Sequence, residues 1–412
     1  MDFSPTFFSN NRERLVSIVK ADLIVLTANG QLQRNSDCVY PFRQDSNFWY
    51  LTGLDIADAV VVIDGKNAES FIIVPDRSEY ELLFDSSLSS TEITKISGIK
   101  IVESAADGWQ KLSQRLKNIP KVATITPPPA FIDVYSMHTN PSKQVLADKL
   151  ALNGCSDLID IREQLASMRI IKQTEEISAL RQAIDITCDT FEDVRRNLSQ
   201  YKNEREIEAD LTAGYRKRGA TGHGFSPIVA SGLNAFTLHY LANEADLSTG
   251  EFVLLDSGAE VSNYSADISR TYPIGDVSER FKEIYTAVYE AQLAGIAQMK
   301  PGNVFQDADD ALCDSLEKSL KRLRLQPIDG QSLLRSYYPH TSHHMGLDVH
   351  DVGDRKQELA PGMVITMEPG IYIQAEKLGV RLEDDILITK DGCENLSQKL
   401  PVSPVDILGV SI

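Results

Sequence analysis

Two predicted β-hairpins constrain the fold of this chain most strongly, because each would hold a pair of carboxylates inside the protein. In the first hairpin, apolar residues lead into Asp256, and a second strand begins at Asp267. A turn centred between Val261 and Ser262 would place the two aspartates directly opposite each other. Like charges at opposed positions, with Cβ atoms about 4.5–5.5 Å apart, destabilise a hairpin unless they are neutralised.

The second predicted hairpin repeats this arrangement. Residues 364–372 and 379–388 would pair around a turn between Ala375 and Glu376, which places Glu368 opposite Glu383. Apolar runs flank both glutamates and predict buried strands. Isolated ionised carboxylates in such surroundings would take up protons or destabilise the fold. The two pairs therefore require bound positive charge.

Two divalent cations would balance the four carboxylates, and one neutral imidazole would complete the ligand set. Four of the seven histidines lie between His340 and His350. Oxygen ligands with a single histidine suit Mn²⁺, with Co²⁺ or Zn²⁺ as alternatives, better than an ion that prefers thiolates. The pattern predicts a dinuclear metal site, although any one of these acids alone would more often be a surface carboxylate.

Length and charge narrow the class of protein. At 412 residues the chain is long enough for two or three units. Its net charge of −18 argues against nucleic acid as a partner, because phosphates need a basic surface.

No apolar run approaches the roughly 18 residues of a membrane span. The N-terminal segment lacks the apolar stretch of a secretory signal, and five scattered cysteines without a CxxC motif are typical of reduced thiols, so the predicted location is the cytoplasm.

The chain is predicted to form two domains. Residues 1–160 are predicted to be an α/β domain, residues 161–173 a linker and residues 174–412 the catalytic domain. In the catalytic domain the order of two helices followed by strands occurs twice, which suggests an internal duplication. The predicted elements include strands at 21–28, 59–64, 69–75, 230–240 and 251–258 and helices at 107–117 and 142–152.

Four sequence motifs, in this order, resemble those of one known family. They are LLDSGAEVSNYSADISRT, SHHMGLDVHDVG, ITMEPGIYI and GVRLEDDILIT, and they are similar to the site motifs of the pita-bread metallopeptidases, in particular aminopeptidase P. FRQDSNFWYLTG, at residues 42–53, resembles the N-terminal domain of that family. The resemblance implies an α/β N-terminal domain of the creatinase/aminopeptidase P type, followed by an α+β pita-bread catalytic domain.

The resemblance also implies the metal ligands. Asp256 would chelate one cation, and Asp267 and Glu383 would bridge both. His343 and Glu368 would complete the coordination of the second cation. Glu368 would also shuttle a proton from the attacking water to the leaving nitrogen.

Four further residues are implied to contact the substrate. His239 and His350 match histidines that bind substrate and stabilise the developing oxyanion, and Arg381 matches an arginine beside the site. Taken without the motifs, His239 would more often be a structural histidine in a strand, and Arg381 could simply hold Glu383. The family commonly has a histidine four residues before the metal-binding one; here that position is Pro339, and His340 lies three residues before. We therefore include His340 as a substrate-binding candidate.

The function implied is a dinuclear-metal aminopeptidase that hydrolyses the N-terminal Xaa-Pro bond through a metal-bridging hydroxide. Its substrates would be peptides with proline at the second position, and the chain would form a homo-oligomer, either a dimer or a tetramer. Trp49 is interpreted as a packing residue within its own chain, although the family's corresponding loop can reach a neighbouring subunit's site.

Four other functions fit parts of the pattern. A prolidase would cleave only Xaa-Pro dipeptides, and a tripeptide substrate separates the two activities. A creatinase-like amidinohydrolase would not need all five metal ligands, and a methionine aminopeptidase needs only the catalytic domain. A catalytically silent binding protein on the same fold would be indicated by the absence of bound metal.

Overall fold

The polypeptide separates into two units within the helix Arg162–Arg169, the first extending to Met168 and the second starting at Arg169. The structure, a computed structural model, describes residues 3–117, 119, 121–127, 137–155, 157–339 and 342–410. Among these residues, every helix is too short or too polar to cross a bilayer.

The first unit is built on a six-stranded mixed sheet. Its central strand, Leu23–Thr27, is apolar and buried throughout, and it pairs antiparallel with Val60–Asp64 and parallel with Val122–Thr124. The strands in spatial order are Ile101–Glu103, Ser70–Ile73, Val60–Asp64, Leu23–Thr27, Val122–Thr124 and Leu158–Asp160. The other elements are helices Pro5–Ile18, Ser46–Thr52, Ser90–Ser97, Ala105–Leu116 and Ser142–Leu152, a 3₁₀ turn at Glu81–Leu83, and a hairpin of Gln33–Asn35 and Cys38–Val39.

The segment FRQDSNFWYLTG forms a capped helix. Asp45 accepts hydrogen bonds of 3.0 Å from the backbone N–H groups of Asn47 and Phe48, which satisfies two donors at the helix N-terminus. Trp49 is buried, and its ring lies edge-on to Phe8 with the centroids 5.5 Å apart. Within its own chain Trp49 is a packing residue, as the sequence predicts.

The second unit contains the predicted order of helix, helix and strands twice. One apolar face of Thr174–Asn197 is buried, and Phe305–Arg322 packs its apolar side chains into the main core of this unit. The helices are Thr174–Asn197, Glu204–Lys217, Glu279–Ile296, Phe305–Arg322 and Pro404–Leu408, with 3₁₀ turns at Leu198–Gln200, Gly232–Phe236 and Gln374–Glu376. The strands are Gly222–His223, Ile228–Ser231, Phe252–Ser257, Ala259–Val261, Tyr264–Ser265, Ile268–Pro273, Val364–Met367, Gly370–Ile373, Leu378–Arg381, Asp384–Ile388 and Cys393–Asn395.

His239 does not lie in a strand, and the predicted strand at 230–240 is wrong. The observed strand Ile228–Ser231 ends where Gly232 adopts a φ of +49°, a conformation that suits glycine and interrupts the ladder. A 3₁₀ turn, Gly232–Phe236, follows. His239 therefore reaches its position from an irregular segment.

The first hairpin has a register two residues away from the predicted one. Its turn is centred between Ser262 and Asn263, which have φ values of +50° and +65°, as type I′ hairpin turns require. Asp256 consequently pairs with Ser269, so the predicted direct opposition of Asp256 and Asp267 is wrong. Opposed residues project from the same face of the sheet, and so do side chains two residues apart on one strand. Asp267, two residues before Ser269, therefore still projects from the same face as Asp256.

The second hairpin keeps the predicted register on both sides of its glutamates. Met367 pairs with Asp384, and Gly370 pairs with Arg381. Between these two ladders the backbone N–H of Leu382 donates to the carbonyl of Pro369 over 3.2 Å. Glu368 and Glu383 lie between the two ladders, where the regular pairing is interrupted.

Candidate metal centre

A cavity of about 460 Å³ in the second unit gathers every predicted site residue except His340. His340 lies outside the described residues. Five apolar residues share the walls with the polar ones. The lining consists of Asp256, Asp267, His343, Glu368, Glu383, His239, His350 and Arg381 together with Phe225, Ser226, Ile228, Leu238, Leu241 and Val349.

Three of the predicted ligands converge closely. Asp267, His343 and Glu383 each present one ligand atom, and these atoms lie within 4.8 Å of one another. The Nε2 atom of His343 is 3.4 Å from Asp267 Oδ2 and 3.4 Å from Glu368 Oε1. Nitrogen and carboxylate oxygen at this spacing can surround a divalent cation.

The backbone fixes which nitrogen of His343 faces the carboxylates. Its Nδ1 atom lies 3.0 Å from the carbonyl oxygen of His344. A carbonyl oxygen can only accept, so Nδ1 carries a proton and Nε2 is the atom available to bind a cation. Thr366 N–H donates to the His343 carbonyl over 2.8 Å, and His343 N–H donates to the Thr366 hydroxyl over 3.0 Å, which holds the segment against the second hairpin.

Each of three carboxylates keeps one buried oxygen without a hydrogen-bond donor among the described residues. These oxygens are Asp256 Oδ1, Asp267 Oδ1 and Glu383 Oε1. Buried polar atoms are normally satisfied, because the loss of hydration is otherwise uncompensated. Such carboxylate oxygens around one cavity, together with the imidazole of His343, are the donor types that a divalent cation takes, so the residues present fit a metal site.

The protonation equilibria of the metal-free site indicate the same need for positive charge. Burial and the charge of Asp256 raise the pKa of Asp267 to about 7, against the pull of the hydrogen bond to His343. Burial, Asp267 and Glu368 raise the pKa of Glu383 well above its ordinary value. Burial alone would lower the pKa of His343, yet its hydrogen bond to Asp267 and the charge of Glu368 raise it to about 9. Without cations, the site holds protons in their place.

Arg381 holds one side of the centre through three groups. Its Nη2 donates to Asp256 Oδ2, its Nε donates to the hydroxyl of Ser269 over 2.9 Å, and its Nη1 donates to the hydroxyl of Tyr372 over 2.8 Å. The Ser269 hydroxyl in turn donates to Glu383 Oε2 over 2.7 Å. Arg381 therefore contacts Asp256 directly and Glu383 only through Ser269.

Sequence reasoning missed Ser269 and Tyr372. Ser269 lies two residues after Asp267, so a strand period of two would have placed its side chain on the same face as that ligand. Tyr372 lies four residues after Glu368 and carries no comparable signal in the sequence. Its link to the site depends on the second hairpin bringing it beside Arg381.

His350 stands against the metal-binding imidazole. The ring centroids of His343 and His350 are 4.4 Å apart, with the planes at 75°. Burial, followed by the charges of His343 and His239, lowers the pKa of His350 to about 4. His350 is therefore a neutral imidazole near pH 7, with one N–H to donate into the cavity.

Comparison with known proteins identifies the family. The model of metallopeptidase family M24 matches residues 178–390, and that of the aminopeptidase P N-terminal domain matches residues 8–123. The chain belongs to metallopeptidase family M24. This membership confirms the predicted pita-bread family and the predicted fold class.

Family relatives cover almost the whole chain. An Xaa-Pro aminopeptidase of Haemophilus influenzae is 33% identical over 97% of this chain and 96% of its own, and one of Escherichia coli is 31% identical over the same shares. The solved structure of Pseudomonas aeruginosa aminopeptidase PepP has a TM-score of 0.86 at 27% identity, covering 99% of this chain and 98% of its own. These relatives therefore match the N-terminal region and the M24 region of the chain together.

Proposed function

We propose that this M24 chain is an Xaa-Pro aminopeptidase with two divalent cations, held by Asp256, Asp267, His343, Glu368 and Glu383. The observation that carries the proposal is the convergence of these five side chains on one cavity, three of them with a buried carboxylate oxygen that lacks a donor among the described residues. The relatives named Xaa-Pro aminopeptidase, which match nearly the whole chain, support the substrate class.

The roles of the ligands follow the predicted set. Asp256 would bind one cation, Asp267 and Glu383 would bridge both, and His343 and Glu368 would complete the second. When bound, a cation pair supplies an activated water and stabilises charge on the carbonyl oxygen of the scissile bond. Mn²⁺ suits this oxygen-rich set with one imidazole, and Co²⁺ or Zn²⁺ are the alternatives.

Glu368 is placed to move a proton. Its Oε1 accepts from the hydroxyl of Thr366 over 3.2 Å, and its backbone N–H donates to Ser342 Oγ over 3.3 Å. These contacts fix the carboxylate at the cavity wall. From there Glu368 takes a proton from the attacking water and delivers it to the leaving nitrogen.

The imidazole of His350 is proposed to bind the substrate's carbonyl. His350 donates its N–H to the carbonyl oxygen, and the bond strengthens as negative charge develops there. His239 lines the same cavity and orients the peptide. Because the proline nitrogen of the substrate carries no N–H, recognition rests on the flanking carbonyl and on the free α-ammonium, which the acidic site attracts. Apolar walls formed by Phe225, Leu238 and Val349 would pack against the substrate's apolar atoms.

The test of this proposal is peptide hydrolysis as a function of metal. The chelated protein should be inactive, and Mn²⁺, Co²⁺ or Zn²⁺ should restore release of the N-terminal residue from an Xaa-Pro-Xaa tripeptide. Cleavage confined to Xaa-Pro dipeptides would instead indicate a prolidase. A protein that binds no stoichiometric metal and cleaves neither peptide would be a binding protein on this fold.

Metal binding should release protons and strengthen with pH. In the metal-free protein the raised pKa values of Asp267, at about 7, and His343, at about 9, leave protons on both groups near neutral pH. Cations bind the deprotonated forms, so the apparent affinity for Mn²⁺ should rise as pH increases through about 7 and on towards about 9. Calorimetric titration in two buffers of different ionisation enthalpy measures the protons released. Equal heats in both buffers would contradict this prediction.

A further inference from the structure

Ser269 occupies an unusual place between the arginine and a metal ligand. Its side chain is fully buried in the strand Ile268–Pro273. Its hydroxyl oxygen accepts from Arg381 Nε over 2.9 Å and donates its own proton to Glu383 Oε2 over 2.7 Å. Its backbone carbonyl accepts from the N–H of Glu383 over 3.0 Å. Both the main chain and the side chain of Ser269 thus hold Glu383.

The direction of these two hydroxyl bonds is fixed by the chemistry of the partners. A guanidinium N–H can only donate, so Ser269 must accept from Arg381. The hydroxyl has a single proton, which it can then donate to Glu383. A carboxylate accepts such a hydrogen bond best in its ionised form. The chain from Arg381 through Ser269 to Glu383 therefore fixes which oxygen of Glu383 receives the hydroxyl proton.

The same network engages one carboxylate oxygen of each of two proposed ligands and leaves the other oxygen without a donor. Ser269 engages Oε2 of Glu383, and Arg381 engages Oδ2 of Asp256. The oxygens left without a donor among the described residues are Glu383 Oε1 and Asp256 Oδ1, one from each side chain. Since Asp256 and Ser269 are a paired position in the first hairpin, one guanidinium can serve both strands at once.

We propose that Ser269 is a positioning residue of the metal centre, whose hydroxyl couples Arg381 to Glu383 and turns one oxygen of Glu383 toward the cations. The inference rests on the proposed function. Outer partners of metal ligands orient the ligand and raise the affinity for the metal. A serine with only a structural role would contribute to folding stability, and its removal would leave the metal affinity of the folded protein unchanged.

The experiment compares Mn²⁺ affinity among three variants of the chelated full-length protein, by calorimetric titration. Ser269→Ala should weaken Mn²⁺ binding by about 10–100-fold, whereas Ser269→Thr, which keeps the hydroxyl, should stay close to wild type. Ser231→Ala is the matched control, because the Ser231 hydroxyl is also buried and also donates over 2.7 Å to a buried carboxylate, Glu204, outside the site. It should bind Mn²⁺ like wild type.

A second pair of variants guards against misfolding. Ser269→Val has the shape of Ser269→Thr without the hydroxyl, so a loss of affinity in the valine variant alone, at matched thermal stability, isolates the hydroxyl. Wild-type affinity in Ser269→Ala, or equal losses in the threonine and valine variants, would overturn the inference while leaving the proposed function intact. A wild-type protein that binds no Mn²⁺ would instead overturn the proposed function, and this inference with it.

Discussion

The Glu383→Ala variant is expected to lose Xaa-Pro hydrolysis by about 10³-fold or more in kcat/KM. Glu383 is buried and lines the cavity, its Oε1 has no donor among the described residues, and one of its oxygens lies within 4.8 Å of ligand atoms of Asp267 and His343. Removing it deletes the proposed bridge between the cations. The several kcal/mol of charge stabilisation that cations supply correspond to such a factor, at about 1.4 kcal/mol per tenfold change in rate.

Two measurements separate loss of metal from loss of catalysis. Glu383→Ala should bind fewer cations per chain by elemental analysis as well as turning over slowly. His350→Ala should lower turnover while leaving the bound metal unchanged, because His350 contacts substrate rather than cation in this proposal. Glu279→Ala, at a side chain that is 85% exposed in the same unit, should change neither. Wild-type turnover in metal-replete Glu383→Ala would show that the dinuclear assignment is wrong.

The second hairpin could be predicted to the residue because its register follows from local pattern. A turn centred between Ala375 and Glu376 sets the alignment of the two apolar strands, and the pairs on either side of Glu368 and Glu383 keep it. The first hairpin was less determined. Its turn residues Ser262 and Asn263 adopt positive φ, and a shift of the turn centre by one position moves every opposed pair by two residues.

The network around Arg381 could not be predicted, for a different reason. Its partners come from three separate segments: Asp256, Ser269 and Tyr372 lie 125, 112 and 9 residues away from it along the chain. Tyr372 meets Arg381 within the second hairpin, whereas the contacts of Arg381 with Asp256 and Ser269 depend on how the two hairpins pack. The residue types alone predict which kinds of ligand atom are present. Which carboxylate oxygens remain without a donor depends on tertiary contacts.

Arg270→Ala is expected to cost the second unit about 3–5 kcal/mol of its free energy of unfolding. Arg270 is fully buried beside the metal centre, and its Nη2 lies 2.7 Å from Asp384 Oδ1. Its Nη1 donates to the backbone carbonyls of Glu383, over 2.6 Å, and Ser269, over 3.0 Å. Truncation would leave the buried Asp384 carboxylate without its guanidinium partner and would remove a donor from both carbonyls, of which that of Ser269 still accepts from the Glu383 N–H.

The two units allow this loss to be measured locally. Both tryptophans, Trp49 and Trp109, lie in the first unit, so their fluorescence follows its unfolding, while circular dichroism follows both units. Arg270→Ala should lower the urea midpoint of the dichroism transition and leave the fluorescence transition in place. Arg196→Ala, at a side chain that is 69% exposed, should change the free energy of unfolding of neither unit by more than about 0.5 kcal/mol.

Because the penalty comes from an unpaired buried charge, replacing Asp384 with leucine in the Arg270→Ala variant should recover part of the lost stability. If the double variant were less stable than Arg270→Ala, the ion pair would not be the source of the loss.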